Sequence, residues 1–356
     1  VTTTTSSETP SGPTSGPTSV DAAALQRTPR TPLVDALLEC LRSGFDPEQD
    51  PPRTCTAVPS GQLLLMPSAT SAWVGTKLVT LAPDNPGRGL PLVQGTYVLF
   101  DGRTLTPHSL LDGAALTTLR TAAVSVLALR LLAPAPPRRA VVVGTGVQAA
   151  AHVDALLECT DVEHVDVVAR RPGAAGLLVR AALEAGRTAR ELSPAGVDAV
   201  TGADVVVCAT SSSTPLFGAD LLDERTTVLA IGSYQPTTTE LEPALVGRSQ
   251  VVVESVGSAL REAGDVLMAR DAGLLDPGDL VTLAALATGA ATPDAGRPRV
   301  FKGTGMAWQD LVCAGAVASA DRLPARPPSG PQGCADASPD PPPPGGPVRD
   351  SPPARR

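Results

Sequence analysis

Residues Gly144-Thr145-Gly146-Val147-Gln148-Ala149 follow directly on the apolar run Val141-Val142-Val143. A strand running into G-x-G-x-x-A, with a helix after it, is the pattern of a dinucleotide-binding turn. The first glycine permits the tight turn, and the second lets the backbone approach a pyrophosphate. The small third residue lets helix and strand pack closely, while the helix N-terminus faces the anion. A second strand, 165–169, follows at the right distance. At its end an NAD site usually carries Asp or Glu for the ribose 2′-hydroxyl. This chain has Ala169-Arg170-Arg171 there. Either two guanidiniums clamp a 2′-phosphate, or two solvated arginines open a loop. The absence of a carboxylate favours the first, so the expected cofactor is NADPH, with NADH as the alternative.

Lysine is almost absent. Among 28 basic residues only Lys77 and Lys302 are lysines, and Asn85 is the one asparagine. A residue type kept in so few places has either a chemical reason or chance behind it. Lys302 either touches a site or caps a strand end. Asp310 is either a site residue or a polar residue in a helix's first turn. His108, His152 and His164 are scattered and are expected to be structural, and Tyr97 is expected to pack in a sheet.

Composition narrows the rest. The net charge is −8, with no basic run inside the apolar-patterned region. Phosphate binding rests on clustered Lys and Arg, so no nucleic-acid partner is expected. The six cysteines form no C-x-x-C and lie near no histidine at ligand spacing. They read as reduced packing residues of a cytoplasmic protein, with no metal site. No uninterrupted apolar run approaches the ~18 residues of a spanning helix, so no membrane partner is expected. The N-terminus is polar and shows no signal-peptide core.

The elements that must position these residues fall into two rhythms. Residues 1–20 are Thr, Ser, Pro or Gly at all but three positions, and 324–356 hold 12 of the 37 prolines. Both tails are expected to be disordered. A helix follows the first tail, with Thr31 as N-cap, Pro32 at its first position and Gly44 at its stop. Short strand-like runs at 63–66, 73–81, 92–100 and 105–110, separated by turn residues, read as an antiparallel sheet. A long Ala-rich helix is expected over 114–132. From 139 onward strands and helices alternate: strands at 139–143, 165–169, 205–208, 228–231 and 251–254, with helices at 146–159 and 174–185 among them. Continuous Val-rich strands of this kind argue for a parallel, doubly wound sheet. A last helix, 307–320, is expected to pack back on the first domain. The fold class is therefore α/β, a Rossmann-type doubly wound parallel sheet plus a mixed α+β domain. The boundaries read 21–118 for the first part of the substrate and dimerisation domain, 119–300 for the dinucleotide-binding domain and 301–323 for the returning segment.

Several segments, in order, resemble the ornithine cyclodeaminase/mu-crystallin family. They are Arg53, Leu65-Met66-Pro67-Ser68, Gly75-Thr76-Lys77, Asn85 with Gly89-Leu90-Pro91, and Leu111-Asp112-Gly113. Next come Leu116-Thr117-Thr118-Leu119-Arg120-Thr121-Ala122-Ala123 and the Gly144–Ala149 turn continuing to His152. Then follow Ala203-Asp204-Val205, Ala209-Thr210-Ser211, Gly232-Ser233-Tyr234 ahead of Glu240-Leu241, and Phe301-Lys302-Gly303-Thr304-Gly305-Met306-Ala307 with Asp310. Together they span nearly all of 50–320.

The resemblance implies a Rossmann domain plus a substrate domain made from both chain ends, paired in a homodimer. It implies hydride transfer at the α-carbon of a small amino or cyclic imino acid. Arg53, Lys77 and Arg120 match positions around a substrate carboxylate or the cofactor phosphates, with Lys77 able to move a proton. Arg120, Thr121, Gly144, Gly146, Val147, Gln148, Ala169, Arg170, Arg171, Thr210 and Ser211 match the cofactor side. Tyr234, Lys302 and Asp310 are further candidates. Tyr234 stands where cyclodeaminases of the family carry an acidic residue, and a phenol of pKa ~10 is a poor base at neutral pH. Reduction of Δ1-pyrroline-2-carboxylate or Δ1-piperideine-2-carboxylate is therefore the leading expectation. Ornithine or lysine cyclodeamination comes second, and a mu-crystallin-like store of NADPH or a small ligand third.

Overall fold

Early in the chain, inward and outward residues alternate with a period of two, and these runs pair into one sheet. The computed structural model describes residues 16–321. The strands are β1 (Thr18–Val20), β2 (Thr54–Val58), β3 (Gly61–Ala69), β4 (Trp73–Leu81), β5 (Val93–Asp101) and β6 (Pro107–Asp112). Their order is β1-β6-β5-β4-β3-β2. β1 joins β6 in parallel, and the other pairings are antiparallel. Along β4, Gly75, Lys77 and Val79 are buried while Leu78 and Thr80 are exposed. The strand pleat thus sends Lys77 to the inner face.

Helices close that face. α1 (Ala22–Gln26) and α2 (Arg30–Arg42) lie between β1 and β2, and α3 (Gly113–Leu132) follows β6. α3 is rich in Ala and Leu, which favour helix, and Asp112 caps it by accepting from Ala115 N at 2.8 Å. It crosses the expected boundary at 118/119 without a break.

The second half is a doubly wound parallel sheet. Its strands are β7 (Arg139–Val143), β8 (His164–Val168), β9 (Thr188–Leu192), β10 (Val205–Cys208), β11 (Thr227–Ala230), β12 (Gln250–Val253), β13 (Val281–Thr282) and β14 (Arg299–Lys302). The order is β13-β12-β14-β11-β10-β7-β8-β9, parallel throughout. Between them run α4 (Val147–Cys159), α5 (Gly176–Glu184), α6 (Pro243–Arg248), α7 (Val256–Glu262), α8 (Gly264–Asp271) and α9 (Leu283–Thr288). The last helix, α10 (Ala307–Asp321), returns to pack on α2, α3, β3 and β4. Alternate strand residues feed two cores. Ala140, Val142, Val205, Val207 and Phe301 join α2, α3, α4 and α10 on one face. Val141, Val143, Val206, Cys208 and Val300 join α6, α7 and α8 on the other.

Several expectations need correction. The first tail is not featureless to residue 20, because Thr18–Val20 is β1; residues 1–15 and 324–356 lie outside the described residues. Thr31 is not an N-cap. Asp21 caps α1, and α2 starts at Arg30 behind Pro29. β2, β9, β13 and β14 are strands absent from the sequence reading. α3 is long and apolar enough to cross a membrane by length and composition, which corrects the exclusion drawn from uninterrupted runs. It is mostly buried here, with every residue from Ala122 to Leu129 inside the protein.

Candidate active site

The winding of the parallel sheet reverses between β7 and β10, and ligands of such sheets bind in the crevice beyond the strands' carboxyl ends there. β7 runs into Gly144, whose φ is +124°. A Cβ on Gly144 would stand 2.4 Å from Ala209 O, so only glycine fits. Gly146 opens α4 without a side-chain cap, and a Cβ there would meet nothing within 4 Å. Open space therefore faces a helix N-terminus with free N–H groups, as a pyrophosphate requires. Val147 is 70% exposed at this mouth, and Ser211 is exposed beside the half-buried Thr210. At the end of β8, Ala169 is buried, while Arg170 and Arg171 are exposed and pair with no carboxylate among the described residues. The residues present fit a dinucleotide.

The crevice loops are held from below. Glu240 Oε1 accepts from Thr210 N and Thr210 Oγ1, both at 2.7 Å, and Oε2 accepts from Gly232 N at 2.8 Å and Ser233 N at 3.3 Å. Asp265 Oδ1 holds the backbone at Glu240 and Leu241, and Asp265 Oδ2 pairs with Lys302 at 2.8 Å. Lys302 also donates to Ser233 O. Lys302 thus ties the end of β14 to the 233 loop and to Asp265. Tyr234, in the same loop, is 43% exposed. His152 bridges Gln148 O and Ser125 Oγ behind the glycine turn, and burial pushes its pKa down to about 4. Thr121 donates to Thr117 O within α3.

On the other side of the crevice the buried cations come together. Lys77 Nζ stands 2.8 Å from Asp310 Oδ2 and donates to Thr117 Oγ1 at 2.9 Å. Arg120 Nε lies 3.4 Å from Asp310 Oδ1, and Arg120 Nη1 donates to Gln309 Oε1 at 2.8 Å. Lys77 is 2% exposed and Asp310 is fully buried. Burial lowers the Lys77 pKa to about 8; Asp310 opposes the shift, and Arg120 and Arg53 add to it. Arg53 Nη2 donates to Thr304 O at 3.1 Å and Gly305 O at 2.6 Å and pairs with Glu262 at 2.9 Å. Two buried cations thus share one carboxylate. Buried charges of this kind are costly unless each finds a partner, and Arg120 meets Asp310 only at the long distance of 3.4 Å. Beside them, the Tyr97 hydroxyl is buried against Gly75 with no hydrogen-bond partner among the described residues.

Residues missed in the sequence complete this cluster. Asp50 accepts from Ser68 Oγ at 2.6 Å and from Trp308 N at 3.0 Å, so it caps α10. Gln309, Glu254 and Glu262 bind the arginines or their supports. Glu254 carried one signal: a carboxylate directly after a buried Val-rich strand. A wider cleft of about 290 Å³, lined in part by Leu25, Thr118, Leu119, Val147 and Ala151, lies between α1, α3 and α4 and contains none of these three cations. No group of three or more metal-ligating side chains occurs among the described residues.

Comparisons with known proteins point the same way. The family model of the ornithine cyclodeaminase/mu-crystallin family matches residues 25–322. The Δ1-pyrroline-2-carboxylate reductase 2 of Burkholderia ambifaria is 34% identical over 253 residues, 71% of this chain and 78% of that protein. The ketimine reductase mu-crystallin of Mus musculus is 30% identical over 287 residues, 80% of this chain and 88% of that one. A solved structure of the Thermococcus litoralis Δ1-pyrroline-2-carboxylate reductase, in complex with NADH and L-proline, superposes with a TM-score of 0.78 at 25% identity. It covers 85% of this chain and 96% of that one. With the glycine turn, the doubly wound sheet and the buried cations already in place, the chain belongs to the ornithine cyclodeaminase/mu-crystallin family.

Proposed function

We propose that this protein is an NAD(P)H-dependent reductase of cyclic ketimines, converting Δ1-pyrroline-2-carboxylate or Δ1-piperideine-2-carboxylate to proline or pipecolate. The observation that carries the reading is the buried pair Lys77 and Arg120 sharing the single carboxylate of Asp310. A substrate carboxylate would find two buried cations side by side, with charge-assisted donors on both. A nicotinamide dinucleotide held by its pyrophosphate at the Gly144–Gly146 turn would supply a hydride to the imine carbon. The imine nitrogen then needs one proton. Lys77, with its pKa brought down to about 8, gives up a proton near neutral pH far more readily than a solvated lysine. Asp310 holds that ammonium in place.

The cyclodeaminase alternative lacks its acid. Tyr234 occupies the loop position, and Glu240 is committed to four donors from Thr210, Gly232 and Ser233. Arg170 and Arg171 favour NADPH over NADH, since two unpaired guanidiniums follow β8 where an NAD site carries an acid. The outer face of the antiparallel sheet exposes Val58, Leu78 and Leu110, an apolar surface suited to a second copy and hence to a homodimer. Five free cysteines among the described residues support a reducing, cytoplasmic setting. One assay tests the activity: NADPH oxidation with each cyclic imine, beside ammonia release from ornithine and lysine. Ammonia release without NADPH consumption overturns the proposal.

A further inference from the structure

Glu254 directly follows β12 and is buried at 2% exposure, yet it touches neither the glycine turn nor Lys77. Its Oε2 accepts from Thr304 N at 2.9 Å and Gly305 N at 2.8 Å. Its Oε1 accepts from Gln309 Nε2 at 2.6 Å. Both carboxylate oxygens are therefore acceptors, and Gln309 must face Glu254 with its NH2 group. The amide carbonyl of Gln309 then points the other way, where it accepts from Arg120 Nη1 at 2.8 Å. Arg120 in turn stands beside Asp310, which holds Lys77. Donors thus converge on Glu254 from both sides: the 304–305 backbone on one, and Arg120 by way of the Gln309 amide on the other.

We propose that Glu254 is a positioning residue for the substrate carboxylate, acting by fixing which way the Gln309 amide faces and so aiming Arg120. The inference rests on the reading of Arg120 as a carboxylate partner. A Glu254→Gln side chain has the same shape but one donor end. Its oxygen stays with the N–H groups of Thr304 and Gly305, and its NH2 turns toward Gln309. The Gln309 amide must then flip and present NH2 to Arg120, donor against donor. Gln309→Glu alone sets carboxylate against carboxylate across the 2.6 Å contact. Made together, the two substitutions restore every bond. The new amide at 254 donates to the new carboxylate at 309, and that carboxylate accepts from Arg120.

The test is a double-mutant cycle read in steady-state kinetics and melting temperature. Each single variant is expected to raise KM for the cyclic imine about tenfold or more, with KM for NADPH changed less than about threefold. The double variant Glu254→Gln/Gln309→Glu is expected to return the imine KM to within about threefold of wild type. Two independent structural lesions add, so a role in packing alone leaves the double variant at least as impaired as the worse single. A KM defect that persists in the double variant overturns the inference. If the wild-type enzyme reduces no cyclic imine, the proposed function fails, and melting then decides the inference separately. Each single variant is expected to melt below wild type and the double variant above both. A double variant that melts no higher than the worse single overturns the inference in that case.

Discussion

Replacing Lys77 with Met removes one charge and keeps most of the stem's volume. The Nζ it deletes sits 2.8 Å from Asp310 and 2.9 Å from Thr117 Oγ1, in a side chain only 3% exposed. Breaking a buried, hydrogen-bonded charge pair costs about 3–5 kcal/mol, because the surviving charge is left without its partner. Asp310 is not left alone here: Arg120 remains 3.4 Å away. That loss, at the lower end of about 3 kcal/mol, falls on folding stability; a substrate carboxylate deprived of its own buried cation forfeits about as much, roughly 200-fold in kcat/KM. The substrate carboxylate loses one of its two buried cations, and the imine nitrogen loses its proton source, so the effect falls on both KM and kcat.

The cofactor turn does not depend on Lys77. It is built from β7, α4 and the loops pinned by Glu240, none of which contacts that side chain. Initial rates of NADPH oxidation with each cyclic imine measure the loss, and a fluorescence titration of NADPH measures what remains. Affinity for NADPH within about threefold of wild type is expected alongside the ~200-fold fall. A Lys77→Met enzyme that reduces imine within tenfold of wild type refutes the assignment of Lys77 to the site.

Because the Lys77 pKa is lowered to about 8, its charge is lost as pH rises through that value, and kcat/KM should fall with an apparent pKa near 8; a plateau to pH 9.5 contradicts this. For stability the sign reverses. Between about 8 and its ordinary 10.5 the unfolded chain binds the extra proton, so this group's contribution to stability rises with pH, as buffered melting curves can show. NADPH is expected to bind at least about tenfold more tightly than NADH, a difference of ~1.4 kcal/mol that one charge-assisted contact can supply. Arg170→Ala/Arg171→Ala should erase that preference, and titrations giving equal affinities in the wild type refute it. Removing residues 1–15 should leave the melting temperature unchanged. Removing 1–20 deletes β1 and its parallel ladder to β6, and should lower the melting temperature by roughly 2–4 °C per kcal/mol of lost pairing.

What could be read from the chain was what lies close together in it. Val141-Val142-Val143 before Gly144 announces its own turn, because the strand, the positive φ and the helix start are consecutive. The strands β7, β10 and β12, buried on both faces, show as continuous Val runs, and β8 as a Val run broken by the buried Asp166. β9 did not, because it is an edge strand whose charged Arg190 pairs across to Asp166 on β8. β14 is short and late in sequence, yet it inserts between β11 and β12, a placement no local pattern encodes. β1 hides in a Thr/Ser tract, and only its pairing with β6, some ninety residues on, makes it a strand.

The same rule separates the site's cations from what aims them. Lys77, Arg53 and Arg120 were visible by type and by the motifs around them. Their partners were not, because a glutamine or glutamate has no chemical signature until something stands beside it. Gln309 is adjacent to Asp310 in sequence, but its role follows from Glu254, fifty-five residues earlier, and from Arg120 on another helix. Asp50 and Glu262 likewise act only across the fold, on α10 and on Arg53. Charged groups proposed to meet a substrate must have a particular chemistry, so composition betrays them. Groups that orient those charges need only the right polarity at the right place, and that place is made by the β4–α3–α10 packing that brings Lys77, Arg120 and Asp310 to one carboxylate.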